Sequence, residues 1–185
     1  MALTKTPVCD FGKKAEDFKL KSIKNKLVSL NDIKGDKATL IMFICNHCPY
    51  VKAIIKDLAK DCNELKKDGI NSVAIMSNDT KNYPEDSFDN MIKFAETNNF
   101  NKINYLIDEN QEVARKYGAV CTPDFFGFNK DLELNYRGRF KELKDLKPVN
   151  KNESDLSLAM KMIANAQKGP KEQIPSMGCN IKWNK

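Results

Sequence analysis

The chain has no apolar run approaching the ~20 residues that would span a bilayer, and residues 1–7 offer no stretch of the length a secretory signal needs. Those two absences predict a soluble, cytoplasmic protein with no membrane partner. Arginine is scarce, since Arg115, Arg137 and Arg139 are three of 31 basic residues and the others are lysines interspersed with acids. A net charge of +6 distributed in this way describes a solvated surface. A nucleic-acid partner would need clustered Arg and Lys with stacking aromatics, and is excluded on that ground. The chain also has a single histidine, no second Cys-x-x-Cys, no internal repeat and no low-complexity tract.

What is present is cysteine, six in 185 residues. A reducing compartment keeps structural pairs open, so these do not read as a disulfide scaffold and each is weighed alone. Cys62 keeps step with Val51, Ile54, Ile55, Leu58 and Leu65, an i, i+3, i+4 stripe that faces a core, and so reads as a small buried hydrophobe. Cys9 has no partner motif and is assigned no role. Cys45, Cys48, Cys121 and Cys179 remain.

The length suits one domain over residues 1–185. From residue 39 onward, short apolar runs alternate with amphipathic stretches. That pattern predicts an α/β fold with a mixed central sheet flanked by helices. Strands are expected at 39–44, 70–76 and 103–107, and helices at 48–67, 85–98, 109–117 and 153–168. Hairpins are expected at 16–30 and at 124–128 with 132–136. Residues 141–152 read as a charged linker, and 170–185 as a C-terminal tail after Gly169-Pro170.

The chemistry is concentrated in Cys45-Asn46-His47-Cys48-Pro49, which follows the apolar run 39–44 and opens a helix. A helix start supplies unpaired N–H groups and a positive dipole end, both of which favour a thiolate. Cys45 is therefore the expected nucleophile and Cys48 the resolving thiol, in an exchange that passes through a mixed disulfide. His47, if protonated or donating, would stabilise the thiolate and move the couple towards a better oxidant. Its plainer reading is a surface histidine.

With Val120-Cys121-Thr122-Pro123-Asp124-Phe125-Phe126 and the ending Pro175-Ser176-Met177-Gly178-Cys179-Asn180-Ile181-Lys182-Trp183, this motif resembles the thioredoxin-like superfamily. Within it, the chain is similar to a peroxiredoxin-like subgroup of the alkyl hydroperoxide reductase/thiol-specific antioxidant branch. The resemblance implies a thioredoxin-like fold and a cis Thr122-Pro123 bond beside the dithiol, with backbone groups left free to grip an incoming peptide. It also implies a thiol-dependent oxidoreductase without a cofactor. Protein or small-molecule disulfides, or hydroperoxides, would be substrates, and a reducing thiol system would be the electron donor.

Peroxiredoxins typically carry Pro-x-x-x-Thr/Ser-x-x-Cys, and here those positions are Ile41, Cys45 and Cys48, so disulfide exchange ranks above peroxide reduction. An alternative of another class is a soft-metal protein holding Cu(I) between the thiols and the histidine. Structural zinc would require Cys121 and Cys179 to converge on Cys45 and Cys48. Cys121 is expected in the core. The tail is expected to fold back and bring Cys179 near Cys45 as an additional resolving thiol, the plainer reading being a docked tail with an inert cysteine.

Overall fold

The computed structural model describes residues 3–7 and 11–184, so Cys9 lies outside the described residues. A first strand, β1 (Leu3–Lys5), is followed by a hairpin of β2 (Lys19–Ser22) and β3 (Leu27–Ser29). Asn25 turns this hairpin at φ 57°, a left-handed conformation that asparagine tolerates. Helix α1 (Leu30–Ile33) begins with a capping box, in which the Ser29 hydroxyl accepts from Asp32 N–H and the Asp32 carboxylate accepts from Ser29 N–H.

Strand β4 (Ala38–Phe43) leads into helix α2 (Pro49–Leu65). Proline suits the first helical position because its missing N–H would have had no partner there. The helix ends through a 3-10 turn at Gly69, φ 78°, and is followed by β5 (Ile70–Met76) and α3 (Phe88–Thr97). Next come β6 (Asn104–Ile107), α4 (Glu112–Tyr117), β7 (Cys121–Thr122), β8 (Asp124–Asn129) and β9 (Leu134–Tyr136). A small hairpin of β10 (Leu143–Lys144) and β11 (Lys147–Pro148) precedes α5 (Asp155–Ala166) and the last strand, β12 (Met177–Asn180).

Seven strands form one sheet in the order β3-β2-β6-β5-β4-β8-β9. β4, β5 and β6 run parallel, and the flanking pairs are antiparallel. The sheet is mixed, as the alternating pattern predicts. β4 is buried along its whole length because both of its faces are covered. Leu40, Met42 and Ile44 point to the side packed by α2, α3 and α5, while Ile41 and Phe43 point to the side closed by α1 and α4. Each such buried aliphatic side chain contributes about 1.5–3 kcal/mol relative to exposure, which fixes where β4 ends and where the next residues emerge. No helix among the described residues is long and apolar enough to cross a membrane.

Three boundaries differ from expectation. The predicted linker 141–152 contains the β10–β11 hairpin, which turns through Asp145 and Leu146 at positive φ. Its charged residues have low strand propensity and conceal it. Helix α3 starts at Phe88 rather than 85, because Pro84–Asp86 form a 3-10 turn that aims Asp86 inward. Helix α4 starts at Glu112 because Gln111 takes the left-handed conformation.

Candidate functional site

Pairing of β4 with β5 continues one step past Phe43, through Ile44 N–H to Ile75 O at 3.1 Å, and the chain then leaves the sheet as Cys45-Asn46-His47. This short loop is held by Asp86. The Asp86 carboxylate accepts from Asn46 N–H (2.8 Å), His47 N–H (3.3 Å), Asn78 Nδ2 (2.8 Å) and His47 Nδ1 (2.7 Å). Tyr105 donates its hydroxyl to Asn46 Oδ1 at 2.9 Å from the floor of β6. Burial pushes the Asp86 carboxyl up, but these donors, His47 foremost, outweigh it and hold the group below the usual carboxylate range. His47 is raised in turn by its bond to Asp86, and its ring stacks on Tyr83 with a 7° interplanar angle.

The helix opens at the second cysteine of the motif, three residues after Cys45. Cys48, not Cys45, is the N-cap of α2, and no side-chain oxygen satisfies the first turn. The open donors therefore converge on the Cys48 sulfur. The Cys45 and Cys179 thiols and the Val51 and Cys179 N–H groups lie around it, the Cys179 sulfur 3.2 Å away. Burial and the Thr122 carbonyl oxygen, 3.1 Å from Cys48 Sγ, oppose ionisation. The neighbouring thiols, Cys45 foremost, and the nearby N–H groups prevail, and the Cys48 pKa is lowered to about 5 from an ordinary 9.0.

Cys45 goes the other way. Its bond to Cys48, its burial and the nearby Asp86 charge raise it well above the ordinary value, with only the Thr122 hydroxyl, 3.4 Å away, opposing them. Cys45 is the nucleophile expected from the sequence, while the lowered pKa of the pair falls on Cys48. His47 does not deliver an uncompensated positive charge to Cys45, because Asp86 neutralises that charge and sits close enough to disfavour a second anion.

The Thr122–Pro123 peptide is cis. Thr122 faces the dithiol through both its hydroxyl and its carbonyl. The adjoining edge is not free for a peptide. β12 pairs antiparallel with β7, setting Cys179 opposite Thr122 and Asn180 opposite Cys121, while β1 covers its other edge. Ser176 donates its hydroxyl to Pro123 O at 2.7 Å, and Asp79 N–H reaches Lys182 O at 2.8 Å. Trp183 is held under the Arg115 guanidinium, 4.3 Å from the ring centroid. The tail therefore lies along the site, and its cysteine meets a different sulfur from the one expected: Cys179 Sγ is 3.2 Å from Cys48 Sγ.

Cys121 is buried, its Sγ 3.5 Å from the Pro123 carbonyl oxygen, and burial raises its pKa. It does not join the other three sulfurs in a hydrogen-bonded set, so four thiolates for zinc are not assembled. Cys45, His47 and Asp86 do bring one ligand atom each within 4.8 Å of one another. Yet both Asp86 oxygens are already occupied by N–H donors, His47 Nδ1 among them, so this cluster is complete as a hydrogen-bond network. Asp86, Asn46, Asn78 and Tyr105 were not foreseen. No spacing in the sequence marks them, and Asp86 reads there only as an acid in a polar loop.

Beside this centre lies a cavity of about 460 Å³. Pro123, Tyr50, Phe140 and Met177 supply apolar walls, and Lys5 and Lys141 stand at its margin. Cys45 and Cys48 are 1% and 0% exposed, so a partner must part these walls to reach a sulfur.

A parallel β4–β5–β6 core, an antiparallel β8–β9 extension and a dithiol at the start of α2 beside a cis-proline define a thioredoxin-like oxidoreductase. The AhpC/TSA family matches residues 11–138, and the chain belongs to that family of thiol-dependent oxidoreductases. An uncharacterized conserved protein from Geobacillus kaustophilus is 41% identical, with TM-score 0.89 over 100% of this chain and 97% of that one. A hypothetical protein from Sinorhizobium meliloti 1021 is 34% identical, with TM-score 0.90 over 98% of both chains. The thioredoxin domain of a thiol-disulfide oxidoreductase from Bacteroides vulgatus shares the fold at 20% identity and TM-score 0.59, over 70% of this chain and 89% of that one. No curated protein matches the chain.

Proposed function

We propose that the chain catalyses thiol–disulfide exchange with small disulfides, with Cys48 as the attacking thiolate and Cys45 as its disulfide partner. The observation that carries this reading is the place of Cys48 at the N-cap of α2, its pKa lowered to about 5, with the Cys179 sulfur 3.2 Å away and Cys45 beside it. In the first step the Cys48 thiolate bonds to one sulfur of R–S–S–R′, and R′–S⁻ leaves and takes a proton. In the second, Cys45 loses its proton and bonds to the Cys48 sulfur, expelling R–S⁻. The substrate is reduced to two thiols, and the protein holds one disulfide.

A thiolate stabilised in the reduced protein is also a good leaving group, which tilts the couple towards the oxidising end of the fold's range. Since β12 occupies the edge that an extended peptide would use, small disulfides entering by the cavity suit the site better than protein loops.

Hydroperoxide reduction is a second reading, favoured by the thiolate falling on Cys48, the position a peroxidatic cysteine takes in the resemblance. The arginines count against it. Arg137 is paired with Asp124, Arg139 with Asp155 and Glu142, and Arg115 lies over Trp183, so each cation is committed away from the sulfurs. The test compares reduction of dithiobis-nitrobenzoate with consumption of cumene hydroperoxide, in wild type and Cys48→Ser. Exchange predicts fast disulfide reduction and slow peroxide consumption in wild type, with both lost in Cys48→Ser. Unchanged disulfide reduction in Cys48→Ser would overturn it.

A further inference from the structure

We propose that Cys179 is a third catalytic thiol, which resolves mixed disulfides on Cys48 to give a Cys48–Cys179 disulfide. This rests on the exchange reading above and extends it to a strand that lies outside residues 11–138, the part matched to the family.

The geometry is built, not incidental. The antiparallel register sets Cys179 directly opposite Thr122, whose carbonyl and hydroxyl face the other two sulfurs. Close approach of the strands depends on Gly178, where an added Cβ would stand 2.1 Å from Thr122 O. Ser176 and Lys182 anchor the strand on either side of the cysteine. The result is a sulfur 3.2 Å from Cys48, held where the terminal strand mimics a peptide laid along the cis-proline edge.

The charge environment changes in favour of Cys179 once substrate has reacted. Burial, and after it the neighbouring Cys48 thiolate, hold the Cys179 thiol up at about 12. Forming Cys48–S–S–R removes that thiolate. Cys179 then faces Lys182, which favours its ionisation, whereas Cys45 still faces Asp86. In the resolving step Cys179 loses its proton, its sulfur bonds to Cys48 Sγ, the Cys48–S–R bond breaks, and R–S⁻ departs and is protonated. Cys45 can afterwards attack Cys48 and return Cys179 to the thiol, a disulfide shift with no net oxidation. Three thiols thus share one disulfide, and Cys48 is the sulfur common to both arrangements.

The test treats Cys45→Ser and Cys45→Ser/Cys179→Ser with excess dithiobis-nitrobenzoate and follows released thionitrobenzoate together with peptide mapping. The inference predicts that Cys45→Ser releases one equivalent more per chain than the double variant and yields a Cys48–Cys179 cross-linked peptide. The double variant should retain a nitrobenzoate adduct on Cys48. A persistent adduct on Cys48 in Cys45→Ser, equal to that of the double variant, would overturn the inference and leave the exchange reading standing. Absence of any modification at Cys48 in wild type and both variants would overturn both. Gly178→Val keeps all the thiols but pushes β12 off Thr122, and in a Cys45→Ser background it should lower the yield of the cross-link severalfold. An unchanged yield would count against the register argument.

Discussion

Cys48 and Cys62 sit on the same helix, four turns apart, and both are shut away from solvent. One has a pKa lowered to about 5 and the other a pKa pushed up to about 12. Burial acts on both in the same direction, so burial does not separate them. Cys62 lies past the middle of α2, where every nearby backbone N–H is spent within the helix, and the Ser72 hydroxyl offers little against desolvation. Cys48 lies at the end where N–H groups are open, and two more thiols lie beside it. Reactivity here is a matter of donor supply.

The largest effect that could break this comparison is on turnover. Cys48→Ser should lower disulfide reduction on the order of 10³-fold or more, as loss of a nucleophile does. Cys62→Ala should leave turnover within about twofold and instead cost roughly 1–2 kcal/mol of stability, the scale of a small core truncation. Stopped-flow reduction assays and urea unfolding on both variants check it. A Cys62→Ala enzyme as inactive as Cys48→Ser would show that the two ends of α2 do not differ as argued.

Next in size is Asp86→Ala. It strands Asn46 N–H, His47 N–H and Asn78 Nδ2, and buried groups left unpaired cost about 1–3 kcal/mol each. A loss of about 3 kcal/mol or more in urea unfolding is expected. The milder Asp86→Asn keeps acceptor capacity but removes the charge that disfavours ionisation of Cys45. That variant should show a lower apparent pKa for Cys45 alkylation, measured in a Cys48→Ser background. No change there would mean that Asp86 only positions the loop.

How legible this site was depends on which residues are considered. The α/β order followed from the alternation of apolar runs with amphipathic helices, because two-sided burial of β4 and one-sided burial of α2 leave opposite patterns in the sequence. Cys45, Cys48, Thr122 and Pro123 could be named because their spacing is local or their motif is familiar. The opposite pKa shifts of Cys45 and Cys48 could not be read. They turn on where the first helical N–H groups open, a shift of three residues, and on a carboxylate 40 positions away in sequence. Asp86 carries no periodic signal, since a 3-10 turn aims it inward. The meeting of Cys179 with Cys48 depends on strand register, which a one-residue slip would reverse.

The same pair of cysteines makes opposite predictions about pH. Cys48 is an acid whose folded pKa lies below its unfolded value of 9.0, so its contribution to stability is fully present above pH 9 and is lost as pH falls towards 5. Cys62 has a folded pKa above its unfolded value, so its contribution is present below pH 9 and is lost as pH rises towards 12. The urea midpoint of wild type relative to Cys48→Ala should therefore climb between pH 5 and 9. Relative to Cys62→Ala it should be flat over that window and fall above it. Alkylation of Cys48 should already be near its plateau at pH 7. A rate still rising tenfold per pH unit there would mean an ordinary thiol.

The smallest expected effect tests the third contributor, Thr122. Its hydroxyl is the one group that favours ionisation of Cys45, while its carbonyl opposes that of Cys48. Thr122→Val removes the first and keeps the second, in a side chain of nearly the same shape. Formation of the mixed disulfide on Cys48 should then be unchanged, because the groups that lower its pKa remain. In a Cys179→Ser background, where Cys45 alone can resolve, resolution should slow a few-fold, since one neutral hydrogen bond is worth about 0.5–1.5 kcal/mol. Single-turnover kinetics separate the two steps as successive releases of thionitrobenzoate. If instead the first release slows and the second does not, the hydroxyl serves Cys48, and the division of labour between the two sulfurs has to be redrawn.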